Sequence, residues 1–270
     1  MHHASYRPLG TLTHWVACFW FWEGAPQPHG QEQLMPNGEA SIVFNLREEP
    51  IRLYDSENRA RFESYGAAVF SGPRTRPFVI DSSQQERVFG IQFRPGGSWP
   101  FFAPPLSEFA NLSISLNDLW QGGAGELREQ LLAAREPATM FAVAEQCLLR
   151  AMRRDEGMHP AVGYALQRLA WDSSTLLEVS KAIGLSQRRF SDLFRHQVGL
   201  SPKAFHRLSR FQRVLAQVHG QTAVNWTAVA HECGYYDQPH FNHDFREFSG
   251  FSPGDYLSRA TEHRNHVPLD

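Results

Sequence analysis

Apolar and aromatic residues in the first hundred positions come in short runs: Val16–Glu23, Ala40–Leu46, Ala67–Ser71, Phe78–Asp81 and Arg87–Arg94. Gly24-Ala25-Pro26, Pro36-Asn37-Gly38, Gly72-Pro73 and Pro95-Gly96-Gly97 separate them, and each is a turn signal. In the last run Phe89, Ile91 and Phe93 alternate with Gly90 and Gln92, the period of a half-buried strand. Short strands with regular turns predict a small barrel or sandwich. From about residue 104 the pattern turns helical. Leu116–Trp120, Glu126–Ala134 and Ala138–Arg153 read as helices, with Pro137 suited to a first helical turn. Asp155-Glu156-Gly157 reads as a hinge, which divides the chain into residues 1–157 and 158–270.

Within residues 158–270 the same pattern occurs twice. Ile183-Gly184-Leu185-Ser186 leads into Gln187–Phe194 and then Gly199-Leu200-Ser201-Pro202-Lys203-Ala204-Phe205; Cys233-Gly234-Tyr235-Tyr236-Asp237 leads into Gln238–Phe245 and then Gly250-Phe251-Ser252-Pro253-Gly254-Asp255-Tyr256. Gly184 and Gly234 are 50 residues apart, while Phe190/Phe241, Phe194/Phe245, Gly199/Gly250, Ser201/Ser252, Pro202/Pro253 and Phe205/Tyr256 are all 51 apart. One extra turn residue in the second copy accounts for the difference. Each copy reads as an apolar helix (Leu176–Ile183; Trp226–Cys233) closed by a left-handed glycine. A short turn with Ser186 or Asp237 as N-cap leads to a second helix that buries its phenylalanines. Ser201 or Ser252 then caps the next helix, with proline in its first turn. That is the helix-turn-helix pattern, whose second helix enters the DNA major groove. Pro202–Val218 reads as one continuous helix joining the units. At about 1.5 Å per residue it spans roughly 25 Å, which with the offset within each unit sets the two second helices about 34 Å apart, one turn of B-DNA.

Charge agrees with this division. Residues 1–158 carry 14 Arg, no Lys and 18 acids, whereas residues 159–270 carry 10 Arg, 2 Lys and 10 acids together with 9 of the 13 histidines. The mildly basic C-terminal region is the one suited to a polyanion. Arg189, Arg195, Arg207, Arg210, Arg213 and Arg246 are candidates for phosphate contacts, with Gln187 beside them at the helix start. At 42% hydrophobic and 13% aromatic the chain can bury a core. The three cysteines, Cys18, Cys147 and Cys233, are scattered without CxxC spacing, which argues against a disulfide framework or a cysteine zinc site. No run of about 18 apolar residues suggests a membrane span, and no basic-then-apolar leader is present, so a reducing, cytoplasmic setting is expected. His231, Cys233, His240 and His243, like His2, His3, His14 and His29, match no metal-ligand spacing, and no metal or cofactor is expected.

With these motifs the C-terminal region resembles the DNA-binding domain of the AraC/XylS family of bacterial regulators. The Gly-x-Ser-Pro-x-x-Phe/Tyr signature of that family stands at Gly199–Phe205 and again at Gly250–Tyr256. The resemblance implies base contacts from Arg188, Ser191 and Asp192 in the first unit and from Gln238, Asn242 and His243 in the second. These residue types are suited to base recognition, since Arg pairs with guanine, Asn or Gln with adenine, and Asp accepts from cytosine. Pro239 stands where the family more often has Ser, and it removes one hydroxyl contact. More loosely, residues 8–135 resemble the β-rich N-terminal domain of some family members, through Met35-Pro36-Asn37-Gly38 with Ser41–Leu46 and Gly90–Phe93 with Arg94-Pro95-Gly96-Gly97.

The fold expected is α+β in two domains: a β-barrel, cupin-like domain with trailing helices, then an all-α domain of two helix-turn-helix units and a linker helix. The function expected is sequence-specific regulation of transcription, with double-stranded DNA as partner, and not enzymic catalysis. The resemblance allows a small-molecule effector, a second copy of the chain and RNA polymerase as further partners. Trp20, Trp22, Phe44 and Phe93 are candidate walls of an effector pocket, against the plainer reading of barrel core. The alternative left open is an enzyme with a catalytic β-barrel that the helical region targets to DNA.

Overall fold

The computed structural model describes residues 2–25, 29–153, 157–171 and 175–269. Pro26 of the first turn signal and Asp155 and Glu156 of the expected hinge lie outside them. Strands come first: β1 (His2–Tyr6), β2 (Val16–Glu23), β3 (Gln31–Leu34), β4 (Ser41–Asn45), β5 (Ile51–Tyr54), β6 (Phe62–Tyr65), β7 (Ala68–Ser71), β8 (Phe78–Asp81), β9 (Arg87–Phe93) and β10 (Ser113–Ser115). Helices follow: α1 (Leu116–Leu119), α2 (Gly123–Ala133), α3 (Pro137–Ala151), α4 (Pro160–Trp171), α5 (Leu176–Ile183), α6 (Gln187–Val198), α7 (Pro202–Val218), α8 (Trp226–Glu232), α9 (Gln238–Ser249) and α10 (Pro253–Arg259). A last strand, β11 (His266–Leu269), ends the described chain.

The strands form two antiparallel sheets, ordered β1-β2-β9-β4-β7-β10 and β11-β3-β8-β5-β6. The six-stranded sheet is covered on both faces. Phe19, Phe21, Ile42, Phe44, Phe89 and Phe93 point to one face, where α2 and α3 bring Leu127, Leu131, Phe141, Ala144 and Leu148 into a single core. Phe89 and Phe141 meet with ring centroids 6.0 Å apart. The intervening residues Trp20, Ser41, Val43, Asn45 and Gln92 face the five-stranded sheet, as period-two geometry requires.

In the helical region α4 supplies Val162, Ala165 and Leu169, all fully buried and spaced three and four apart, against α5, α6 and α7. The long helix α7 buries Phe205, Leu208, Phe211, Val214, Leu215 and Val218 along one stripe. Its Pro202–Val218 bounds are those the sequence predicts.

The halves are joined closely. Met35 from the β region lies in the helical core, and Gly38 seats against Leu200, Phe205 and Leu208. Gln33 Nε2 donates to the Ser249 carbonyl at 2.5 Å, and Gln212 Nε2 to the Pro36 carbonyl at 2.7 Å. Most tellingly, β11 pairs with β3, His266 opposite Leu34 and Leu269 opposite Gln31. The C-terminal half is therefore not all helical: its end returns to the β region as a strand on the sheet edge. Residues 263–269 carry only Val267 and Leu269 as aliphatics, so no apolar run announces that strand.

Glu39 lies in this junction region, accepting from Gln92 Nε2 at 2.8 Å and Asn37 Nδ2 at 3.1 Å. Burial pushes its carboxyl up to about 7, against the opposing pull of the Gln92 hydrogen bond, Arg264 and Arg94. A folded pKa above the unfolded one favours folding fully only below the ordinary carboxylate range, and that favour is lost as pH rises through about 7. Glu39→Gln keeps an acceptor oxygen and removes the buried charge. It is expected to raise Tm by roughly 2–4 °C at pH 8 and to change little at pH 4.5, as read by calorimetry; an equal effect at both pH values would show that ionisation is not the cause.

Candidate nucleic-acid interface

Each unit is built from local signals that the backbone uses as read. Gly184 and Gly234 close α5 and α8 with φ of +70° and +82°, a region other residues avoid. Ser186 accepts from the Arg189 N–H at 3.3 Å, and Asp237 from the His240 N–H at 2.8 Å. Ser201 and Ser252 cap α7 and α10 in the same way, at 3.1 and 3.2 Å. Such caps contribute about 0.5–2 kcal/mol each.

Side-chain packing repeats as well. Phe190–Phe194 and Phe241–Phe245 are edge-to-face pairs with centroids 5.8 and 5.7 Å apart. Phe194–Phe205 and Phe245–Tyr256 continue the chain of rings at 5.7 Å in both units. The sequence repeat is thus a repeat of the same small core, and it turns the same helix face outward twice.

On that outward face of α6, Gln187, Arg188, Arg189, Asp192 and Arg195 are exposed and Ser191 is half-buried. Arg188 and Asp192 form an ion pair at 3.9 Å, with side chains 95% and 68% exposed. Such a pair holds little energy and opens readily to another partner. On α9, Gln238, Asn242, His243 and Arg246 are exposed. Asn242, His243 and Arg246 line one open concave surface with Glu247, Ser252 and Pro253.

Two of the arginines taken from the sequence as phosphate contacts, Arg207 and Arg210, are engaged inside the protein instead, and a third, Arg213, is half-buried beside them. Arg207 donates to Asp244 Oδ1 at 2.6 Å and pairs with Glu247 at 2.5 Å, and these hydrogen bonds push its pKa up. Arg210, only 14% exposed, lies 4.8 Å over the Tyr235 ring, donates to the Gly234 carbonyl and sits 3.6 Å from Asp244. Arg213 buries its Nε. All three are on α7, on the side covered by the second unit. Burial, then Arg210 and Arg213, push His206 of the same helix down to about 4, which keeps it neutral at physiological pH.

The residue that organises this cluster is Asp244, 1% exposed, which no sequence signal had singled out. It stands where the first unit has Leu193, and draws Arg207, Arg210 and His240 toward one buried carboxylate. A charged residue in register with a core leucine of the sister repeat was the available clue. His243, Asp244 and Glu247 also bring one ligand atom each within 4.8 Å of one another. Both carboxylates are occupied by Arg207. His231 and Cys233 take no part in that group.

The β region holds a cavity of about 230 Å³ between its sheets. Trp20 lines it, but Trp22, Phe44 and Phe93 do not. Phe44 and Phe93 are fully buried on the opposite sheet face, and Trp22 sits half-buried near His3. The Trp20 indole lies flat over Gly90, where an added Cβ would fall 2.0 Å from its Cε2. A glycine is therefore required under the ring.

Comparison with known proteins agrees with this anatomy. Residues 179–259 match a family described as a helix-turn-helix domain, and residues 4–115 a domain of unknown function, DUF6597. The arabinose operon regulatory protein of Escherichia coli strain K12 is 28% identical over 66% of this chain. Its counterpart in Salmonella typhimurium strain LT2 is 28% identical over 62%. Over its helix-turn-helix region the chain resembles regulators of the AraC/XylS family. The matches span 66% and 64% of those two regulators' own length, just under two thirds. Among solved structures, ToxT from Vibrio cholerae is similar with a TM-score of 0.47 and 8% identity, over 96% of this chain and 99% of that one. No helix among the described residues is long and apolar enough to cross a membrane.

Proposed function

We propose that this chain is a sequence-specific transcription regulator that lays α6 and α9 into neighbouring major-groove segments of one DNA duplex. Residues 158–270 form the reader, and residues 1–157 hold a small effector between their sheets. Arg188, Ser191 and Asp192 of α6 and Gln238, Asn242 and His243 of α9 contact bases; Gln187, Arg189, Arg195 and Arg246 contact phosphates. The carrying observation is the twofold occurrence of one capped, phenylalanine-cored unit with a polar outer face, joined by a 17-residue helix. Its three unpaired cysteines suit a reducing cytoplasm. The matched relatives are named as regulators of an operon, and a regulatory role, without the sugar, is what we extend to this chain.

Selection of bound sequences from a random DNA pool tests this reading. Two short enriched motifs about 10–10.5 base pairs apart are expected. Enrichment of a single motif, or none, overturns it. The same DNA separates surface from structural arginines. Arg195→Ala and Arg246→Ala are each expected to flatten the dependence of log Kd on log salt by about 0.9, one phosphate contact apiece. Arg210→Ala should leave that slope unchanged, because its guanidinium is already held by Asp244 and Tyr235. A slope lowered by Arg210→Ala would return that residue to the phosphate-contacting set.

A further inference from the structure

The inter-sheet cavity is not a property of the β region alone. One of its walls is His266, on the strand that ends the DNA-reading half. The Trp20 indole lines the cavity from the facing sheet, and Leu34, Phe78 and Ile80 line it beside His266 from the same sheet. His266 Nδ1 lies 2.8 Å from Glu32 Oε2, and His29 Nε2 lies 2.5 Å from Glu32 Oε1. Burial raises the Glu32 carboxyl pKa, but its hydrogen bonds with His266 and His29 outweigh burial and hold it low, so it is ionised. An ionised carboxylate only accepts, so the proton of that bond belongs to His266 Nδ1. In the neutral ring the other nitrogen, Nε2, is then an acceptor. The charged lining residues do not call for a charged occupant. Arg52 lies over the Phe62 ring at 5.5 Å, and Asp81 accepts from Tyr54 and from the Ser83 N–H. Between Leu34, Val43, Val69, Phe78 and Ile80 an ion would lose much of its hydration, whereas a neutral ring would not.

We propose that the cavity takes a small, uncharged aromatic molecule carrying one O–H or N–H donor, which stacks near Trp20 and donates to His266, so that a single occupant touches both the β region and the last strand of the DNA reader. This rests on the effector reading above and adds to it the ligand class and the route of coupling. An occupant bonded to His266 stabilises the pairing of β11 with β3. That pairing in turn fixes the second helix-turn-helix unit, whose Ser249 carbonyl is held by Gln33 of the same β3 strand. Binding inside the barrel is thereby linked to the placement of α9, with no contact between ligand and recognition helix.

The test uses the full chain with p-cresol and indole as neutral donors, toluene as a partner lacking the donor, and benzoate as the charged analogue. Calorimetry is expected to rank p-cresol and indole above toluene, with benzoate weakest. Hydrogen exchange should show the β11 amides slowed at least tenfold by saturating p-cresol. His266→Ala should weaken p-cresol about tenfold, the size of one hydrogen bond, and leave toluene unchanged. His266→Asn, which can both accept and donate, should restore part of the loss. Val43→Phe, which fills the cavity from the opposite sheet, should abolish binding of every probe while β11 stays protected from exchange. Binding that Val43→Phe blocks, but that neither slows β11 exchange nor responds to His266→Ala, would sink the shared-wall proposal and leave the effector reading intact. Tighter binding of benzoate than of p-cresol would overturn the ligand class. No binding by any probe at millimolar concentration would overturn the whole proposal, and the DNA selection would still stand apart from it.

Discussion

Asp244→Ala is expected to destabilise the protein by about 3–5 kcal/mol, the usual cost of removing one partner from a buried ion pair. The carboxylate is 1% exposed and is approached by Arg207 at 2.6 Å and Arg210 at 3.6 Å. Without it, two guanidiniums on the linker helix face each other in a site too dry to hydrate both. Glu247 can retain Arg207, being 2.5 Å away and partly exposed, but Arg210 keeps only a carbonyl and the Tyr235 ring. Urea unfolding of the full chain, followed through signals of the helical region, reads the loss. A drop below about 1 kcal/mol would mean that solvent reaches the cluster and that the pair is a surface one. The triple variant Asp244→Leu, Arg207→Met, Arg210→Met sharpens the point. It restores at position 244 the leucine that the first unit has at position 193, and removes the charges that need it. Replacing a whole buried ionic group by apolar side chains of similar volume is often neutral or stabilising, so most of the lost stability should return.

This cluster also marks where the sequence stopped being legible. Glycines, caps and phenylalanines of the repeat act within a few residues of themselves, and Gly184, Ser186, Asp237 and Ser252 do what their spacing predicts. Arg207 and Asp244 are 37 positions apart, so nothing local distinguishes an arginine that grips a buried carboxylate from one that faces DNA. Five strands were readable from apolar runs, while β3, with Gln31-Glu32-Gln33-Leu34, was not. Its polar residues are satisfied largely by distant groups, Glu32 by His266 as well as by nearby His29, and Gln33 by Ser249. The pocket walls failed for another reason. Because helices cover one face of the six-stranded sheet and the second sheet covers the other, large apolar residues occur on both faces, and a residue's hydrophobicity does not say whether it lines the cavity. Trp20 and Phe44 look alike in the sequence and end on opposite sides of the sheet. The structure resolves that ambiguity through strand register alone.

The second large effect lies on the DNA side. Arg188→Ala and Asn242→Ala are each expected to weaken binding to the selected sequence by about 1–3 kcal/mol, roughly five- to 150-fold. The two differ in what else they change. Arg188 carries charge, so its loss also weakens random DNA somewhat; Asn242 carries none, so random DNA should hardly notice it. Each should relax preference in one half of the site only: Arg188 in the motif read by α6, Asn242 in that read by α9. The residues belong to separate units with separate phenylalanine cores, so the double variant should show additive losses within about 0.5 kcal/mol. Titration of each variant against the selected duplex and a scrambled one supplies all these comparisons. Equal losses on both duplexes for Asn242→Ala would remove it from base recognition. Full loss from one variant with none from the other would be more damaging, since one helix would then do all the reading and the second copy of the unit would need another purpose.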